Sequence, residues 1–329
     1  MSFRKISVIA FLLFFPMPEN IMAQMEISGF FDVIGINKLP TAESKQFFIN
    51  QFELDVSYEN KSHYSVGTAV AYNNDSEQME LAMAFVHYAF DDSRGKHPRR
   101  EEVYEHSAIQ IGKFDMPFGL DYLSYASPDR PTISQPLVIE KTIAGWNDVG
   151  IDFHMFHERI KFDVWAVNGF KEGIGLGGNI RYKFFPFLEI GYSYSADIKD
   201  FKQINDWLSG ADLQISTGFV EIKSEFLWMK GVYEGKPDNV LNDEMHYGGY
   251  LQILTKFEKL ISFPIFITLR AGGWECNSND EKINDSQKRY SITLGYDFDD
   301  NISVRTEMVI NKLPEKTSTE GFLQLVVSF

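Results

Sequence analysis

Ser107-Ala-Ile-Gln-Ile-Gly-Lys-Phe114 and Asp148-Val-Gly-Ile-Asp-Phe-His-Met-Phe156 are the stretches whose reading decides the fold. Each sets apolar side chains at every second position, the period of a half-buried strand. Between them lie a Pro/Gly break, Asp115-Met-Pro-Phe-Gly119, and a stretch to Asn147 without clear periodicity. Connections that long inside an ordered domain are usually functional or disordered. This one keeps Tyr122, Leu123, Tyr125, Ile133, Leu137, Val138 and Ile139, so it is expected to pack against something. In a membrane barrel that surface is the inner wall.

Outward from this centre, alternation recurs from Gln24 to the end of the chain and no helical period emerges. Sixteen candidate strands centre on 26–35, 47–58, 63–72, 78–90, 107–114, 148–156, 159–168, 174–184, 187–195, 208–216, 218–230, 245–256, 263–272, 287–297, 301–311 and 320–329. That leaves about nineteen residues per strand and connection, which suits membrane-crossing strands. No stretch past the first residues reaches eighteen apolar residues, so a membrane crossing would have to be a closed barrel. A soluble β-sandwich alternates in the same way. Three features favour the membrane: sixteen closed strands leave a lumen too wide to fill with side chains, aromatics flank apolar faces such as Tyr290 to Phe298, and connections alternate in length. Short turns are expected at 59–61, 157–158, 185–186, 217 and 299–300, and longer loops near 36–46, 115–147, 196–207, 231–244, 273–286 and 312–319. Two connections break the rule, a short one at 73–77 and a long one at 91–106; a missed hairpin there would give eighteen strands.

Residues 1–23 read as a signal peptide, with Arg4 and Lys5, an apolar run and a small-residue cleavage site; residues 24–329 are the barrel domain. The net charge of −15 argues against a nucleic-acid partner. The single cysteine, Cys276, placed in a loop beside Trp274, allows no internal disulfide and no cysteine metal site. The seven histidines fall in no hydrolase or zinc-protease motif, since His157-Glu158 lacks a second histidine four residues on. His154 and His246 read as lone polar groups on the wall. No catalytic residue, metal site or cofactor is expected. Gly173-Ile-Gly-Leu-Gly-Gly178 lacks dinucleotide spacing and reads as a close-packed strand.

Ile111-Gly-Lys-Phe-Asp-Met-Pro-Phe-Gly-Leu120 resembles the phosphate-selective porin family of Gram-negative outer membranes. The likeness continues in Ala84-Phe-Val-His-Tyr-Ala-Phe90, Asp129-Arg130-Pro131, Trp146-Asn-Asp-Val-Gly-Ile151 and Gly177-Gly-Asn-Ile-Arg-Tyr-Lys183. It covers residues 80–195 well and the rest by pattern. The resemblance implies an outer-membrane barrel of sixteen strands, commonly a homotrimer amid lipid and lipopolysaccharide, with the third outer loop, residues 115–147, folded into the channel.

A channel works through its width, its wall charges and its constriction. With apolar faces outward, the inward acids are Glu53, Asp55, Asp152, Asp163, Glu189, Asp212, Glu221, Glu225 and Glu307. The inward bases are Lys161, Arg181, Lys183, Lys223, Arg270, Arg289 and Arg305. The signs are mixed, whereas a phosphate channel should stack Arg and Lys along its path. On the loop, Arg130 and Lys141 are the expected constriction cations, facing Asp121 and Asp129, with Glu140 nearby; the alternative is that these ions clamp the loop to the wall. The outer loops are expected to be acidic, through Glu234, Asp238, Asp243, Glu244, Glu275, Asp280, Glu281 and Asp285. The function expected is passive diffusion of small hydrophilic solutes and ions, with an anion- or phosphate-selective channel or a plugged structural barrel as alternatives.

Overall fold

The computed structural model describes residues 25–39, 47–59, 63–74, 77–90, 106–169, 173–199, 203–231, 245–277 and 284–329. Sixteen strands lie among them: β1 Met25–Leu39, β2 Phe47–Glu59, β3 Tyr64–Asn73, β4 Gln78–Ala89, β5 His106–Asp115, β6 Asn147–His157, β7 Ile160–Val167, β8 Ile174–Phe185, β9 Leu188–Lys199, β10 Gln203–Ser216, β11 Val220–Lys230, β12 Met245–Lys256, β13 Ile265–Asn277, β14 Asn284–Asp297, β15 Ile302–Lys312 and β16 Thr317–Ser328. Each pairs with its sequence neighbours, and β1 pairs with β16, closing the barrel. All pairings are antiparallel. At the seam Phe329 continues the ladder, exchanging backbone hydrogen bonds of 2.9 and 3.0 Å with Gly29. A closed sheet has no edge, so every strand finds two partners.

The two faces separate cleanly on β14 and β15. Tyr290, Ile292, Leu294 and Met308 are exposed, while Ser291, Thr293, Arg305 and Glu307 at alternating positions are buried. In a closed sheet the broadly exposed face is the outer one, so the apolar side chains point outward. Exposed aromatics gather towards the two ends: Phe184, Phe185, Phe187, Phe219 and Phe298 near the short turns, and Tyr192, Tyr194 and Trp228 further along the strands. The apolar run from Tyr290 to Phe298 spans about 20 Å at a tilt of roughly 40°.

Sixteen strands answer the strand-count question, because both anomalous connections, 74–77 and 90–105, link strands that pair as neighbours. Three expected loops prove shorter. The supposed loop 196–207 is largely strand, since β9 runs to Lys199 and β10 starts at Gln203. Leu313 to Lys316 alone separates β15 from β16. At 273–286, β13 runs to Asn277 and β14 starts at Asn284, so Glu275, Cys276 and Asp285 sit on strands and not in a loop. Strand pairing continues beyond the apolar band because backbone hydrogen bonds require a neighbour, not lipid. Two short helices were not anticipated: α1, Leu137–Lys141, and α2, Glu258–Ile261 in the turn between β12 and β13. Residues 1–23, read as a signal peptide, and Glu234, Asp238, Asp243, Glu244, Asp280 and Glu281 lie outside the described residues.

Cys276 is 1% exposed. Its thiol should therefore resist a polar maleimide while the barrel is folded and react fully after heat unfolding, as intact-mass measurement would report. Rapid labelling of the folded chain would contradict its position on β13.

Candidate functional site

Residues 116–146 are the irregular core of the structure. They start at the end of β5 with Pro117 and the positive-φ Gly119, make one 3-10 turn over Asp121–Ser124 and one helical turn, α1, and return to β6. Met116, Phe118, Leu137, Val138, Ile139 and Ile143 are buried in one apolar cluster with Trp165, Leu208, Leu227, Met229 and Trp274 from β7, β10, β11 and β13. These strand residues lie two or four positions from the inward Asp163, Asp212, Glu225 and Arg270, so alternation already sets them on the inner face. They cover the segment instead of meeting lipid.

The polar contacts reach strands all round the sheet. From β15, Arg305 donates to the carbonyls of Ser127 (2.6 Å), Arg130 and Pro128 (3.3 Å). Glu307, two residues on, accepts from the backbone N–H groups of Ile133 (2.7 Å) and Ser134 (2.6 Å) and from the Ser134 hydroxyl (2.8 Å). From β13, Arg270 donates to Thr132 Oγ1, Ser134 O and Ser134 Oγ, and lies 3.7 Å from Glu307. From β14, Arg289 pairs with Glu140 and donates to the Gln135 carbonyl. On the other flank Gln51 of β2 accepts from Ser127 (N–H 3.2 Å, Oγ 2.6 Å). Ser193 of β9 accepts from the Gly119 N–H at 3.0 Å, and Arg181 of β8 donates to the Gly119 carbonyl.

The expected site residues can now be placed. Arg181 pairs with Glu189 and with Asp212, the latter at 2.9 Å. Glu221 and Lys223 pair along β11 at 2.9 Å, and Lys161 stands 3.9 Å from Glu189. Glu53, Asp55 and Lys183 are half-buried on β2 and β8. Glu225 is buried, accepting from Tyr250 Oη and from the Leu120 backbone. On the segment, Asp121 is buried and Asp129 exposed. Burial pushes the Asp121 carboxyl above its ordinary range, opposed by the charges of Arg130, Arg270 and Lys223. Arg130 is not a cation facing open space. Its Nε donates to the Ser124 carbonyl at 3.1 Å, an Nη donates to the Tyr125 carbonyl, and the guanidinium lies over the Tyr125 ring. Lys141 sits 5.8 Å from the Trp274 ring centroid, a cation–π geometry. Glu140 thus ties the segment to the wall through Arg289, whereas the Arg130 side chain braces the segment internally.

Sequence reasoning passed over Gln51, Ser193 and Asp32. Asp32 is buried, accepting from Asn50, the Gln51 N–H and Gln324 across the β1–β16 seam. All three sit at inward alternation positions, a signal available in the sequence: Asp32 as a wall charge, Gln51 and Ser193 as neutral polar groups. His154 is not a lone wall group: it stacks on His87 at 5.1 Å and contacts Asp152. His246 stacks on Trp274 at 5.7 Å.

No family model matches the sequence, and no curated protein does either. Among solved structures the fold is that of porin-type outer-membrane barrels. Salmonella typhi OmpF in complex with daunomycin aligns at TM-score 0.66 and 12% identity, over 93% of this chain and 97% of that one. The outer-membrane channel DcaP of Acinetobacter baumannii aligns at 0.65 and 11%, over 93% and 97%. An anion-selective porin from Comamonas acidovorans aligns at 0.64 and 8%, over 93% and 99%. At these identities the likeness is one of fold.

Proposed function

We propose that this chain is an outer-membrane porin, exported by residues 1–23, that lets small hydrophilic solutes and ions diffuse passively, with residues 116–146 folded inward as the constriction. One observation carries this reading. A segment tethered at β5 and β6 bonds to inward side chains of β2, β8, β9, β13, β14 and β15, and such reach is available only across the inside of a closed sheet. The aromatic-flanked apolar exterior supports a lipid setting. A homotrimer, with part of that exterior covered by neighbouring copies, fits the resemblance and would be read from the mass of the detergent-solubilised complex.

Selectivity follows from which charges remain available. Arg181, Arg270, Arg289 and Arg305 each donate to the segment, a carboxylate or both, so the guanidinium ladder expected of a phosphate channel is spent on structure. Weak or cation-leaning selectivity is therefore expected, in line with the net charge of −15. Single-channel conductance in a planar bilayer under a salt gradient tests this. Discrete steps with a reversal potential near zero or towards the cation support it. An anion-leaning potential with block by millimolar phosphate would establish the phosphate-selective alternative. Silence from a folded, inserted barrel would mean a plugged structural barrel.

A further inference from the structure

We propose that Asp152, His154 and Asp163 form a binding site for a divalent transition ion of the zinc class on the inner wall of β6 and β7. Asp152 and His154 stand two residues apart on β6, hence on one face, and Asp163 is directly opposite His154 in the β6–β7 register. One ligand atom from each lies within 4.8 Å of the other two. His154 Nδ1 is 3.0 Å from Asp152 Oδ2. Ligands at about 2.0–2.2 Å from one ion sit roughly 3–4 Å apart, so small side-chain rotations would complete the site.

A second observation points to a ligand. Asp152 is 4% exposed, and its Oδ1 has no hydrogen-bond partner among the described residues. A buried carboxylate oxygen left in this way is costly unless something fills the place. The donor set, one imidazole and two carboxylates, suits zinc-class ions better than Mg2+ or Ca2+, which prefer oxygen alone. The cations acting on Asp163, Lys161 and Arg181, are both also held by Glu189.

The surroundings are arranged as a metal-binding histidine requires. With the ion on His154 Nδ1, the proton resides on Nε2, which lies 3.2 Å from His87 Nε2 on β4. His87 then accepts that hydrogen bond and fixes the tautomer. It reaches across β5 because the residue opposite His154 on that strand is Ala108, whose methyl leaves room for two stacked rings.

The test uses the purified full-length barrel, stripped with chelator, and Zn2+ alone as probe in titration calorimetry, with Co2+ absorption reporting nitrogen coordination. One ion per chain is expected. The pair Asp152→Asn and Asp163→Asn should weaken binding at least about tenfold, and His87→Leu, which keeps no acceptor, by roughly 10–100-fold, the usual effect of losing an outer-shell partner. Heat-modifiable gel migration identifies folded variants. If the paired variant fails to fold, Asp163→Asn alone carries the test, and it too must weaken binding. Absence of stoichiometric binding to the native chain, or native affinity in a folded Asp163→Asn variant, overturns the site.

Discussion

Glu307→Ala should release the middle of residues 116–146 while leaving the barrel closed, giving larger and noisier single-channel currents and protease cleavage within the segment. Glu307 is 2% exposed and accepts two backbone N–H bonds and a hydroxyl bond from Ile133 and Ser134. Removing the carboxylate strands the buried Ile133 N–H, at about 1–3 kcal/mol, and leaves the half-buried Ser134 donors to find water. It also leaves Arg270 without its carboxylate partner at 3.7 Å, and breaking a buried ion pair from one side costs about 3–5 kcal/mol. The penalty falls on the segment because the backbone pairing of Glu307 with Thr293 and Phe322 is untouched. Arg270→Met combined with Glu307→Met should be milder than the sum of the single changes, since no buried charge is left over. Unchanged conductance and protease resistance in Glu307→Ala would remove the reading of Glu307 as the anchor of Ile133 and Ser134.

The parts of this architecture legible in sequence are those where one face meets apolar surroundings and the other polar ones. β14 and β15 show this, with Arg289, Arg305 and Glu307 on the face opposite the exposed Tyr290, Ile292, Leu294 and Met308. Alternation marks only the height of the apolar band, so the polar start of β10, Gln203-Ile-Asn-Asp206, read as loop although it pairs with β9. Alternation gives the face but not what covers it: Trp165, Leu208, Leu227 and Trp274 share the parity of the inward Asp163, Asp212, Glu225 and Arg270, and they cover α1 and Phe118. Partners were harder still. Arg130 was visible as a cation near the centre, but its bonds to Ser124 and Tyr125 depend on the path of a segment with no period. The meeting of His87 and His154 depends on the register of three strands, which no local pattern encodes.

Gly119→Ala should be strongly damaging, for two separable reasons. Gly119 has φ +69°, where a side chain costs about 1–2 kcal/mol. A Cβ there would also stand 1.7 Å from Glu225 Oε1. Glu225 cannot simply swing away, because Tyr250 Oη and the Leu120 backbone hold it. Neither can Gly119 shift freely, because Ser193 takes its N–H and Arg181 its carbonyl. The turn that starts the segment would therefore have to rebuild, with loss of refolding yield and a lower unfolding temperature in heat-modifiability gels. Gly218→Ala is the matched control, since nothing lies within 4 Å of a Cβ at that turn, and it should behave as the native chain. Adding Glu225→Ala to Gly119→Ala removes the clash and keeps the backbone strain, so recovery should be partial. Full recovery would mean that the left-handed backbone matters little, and no recovery would mean that the clash does. A Gly119→Ala chain as stable as the native one would show that the segment does not enter the barrel through this turn.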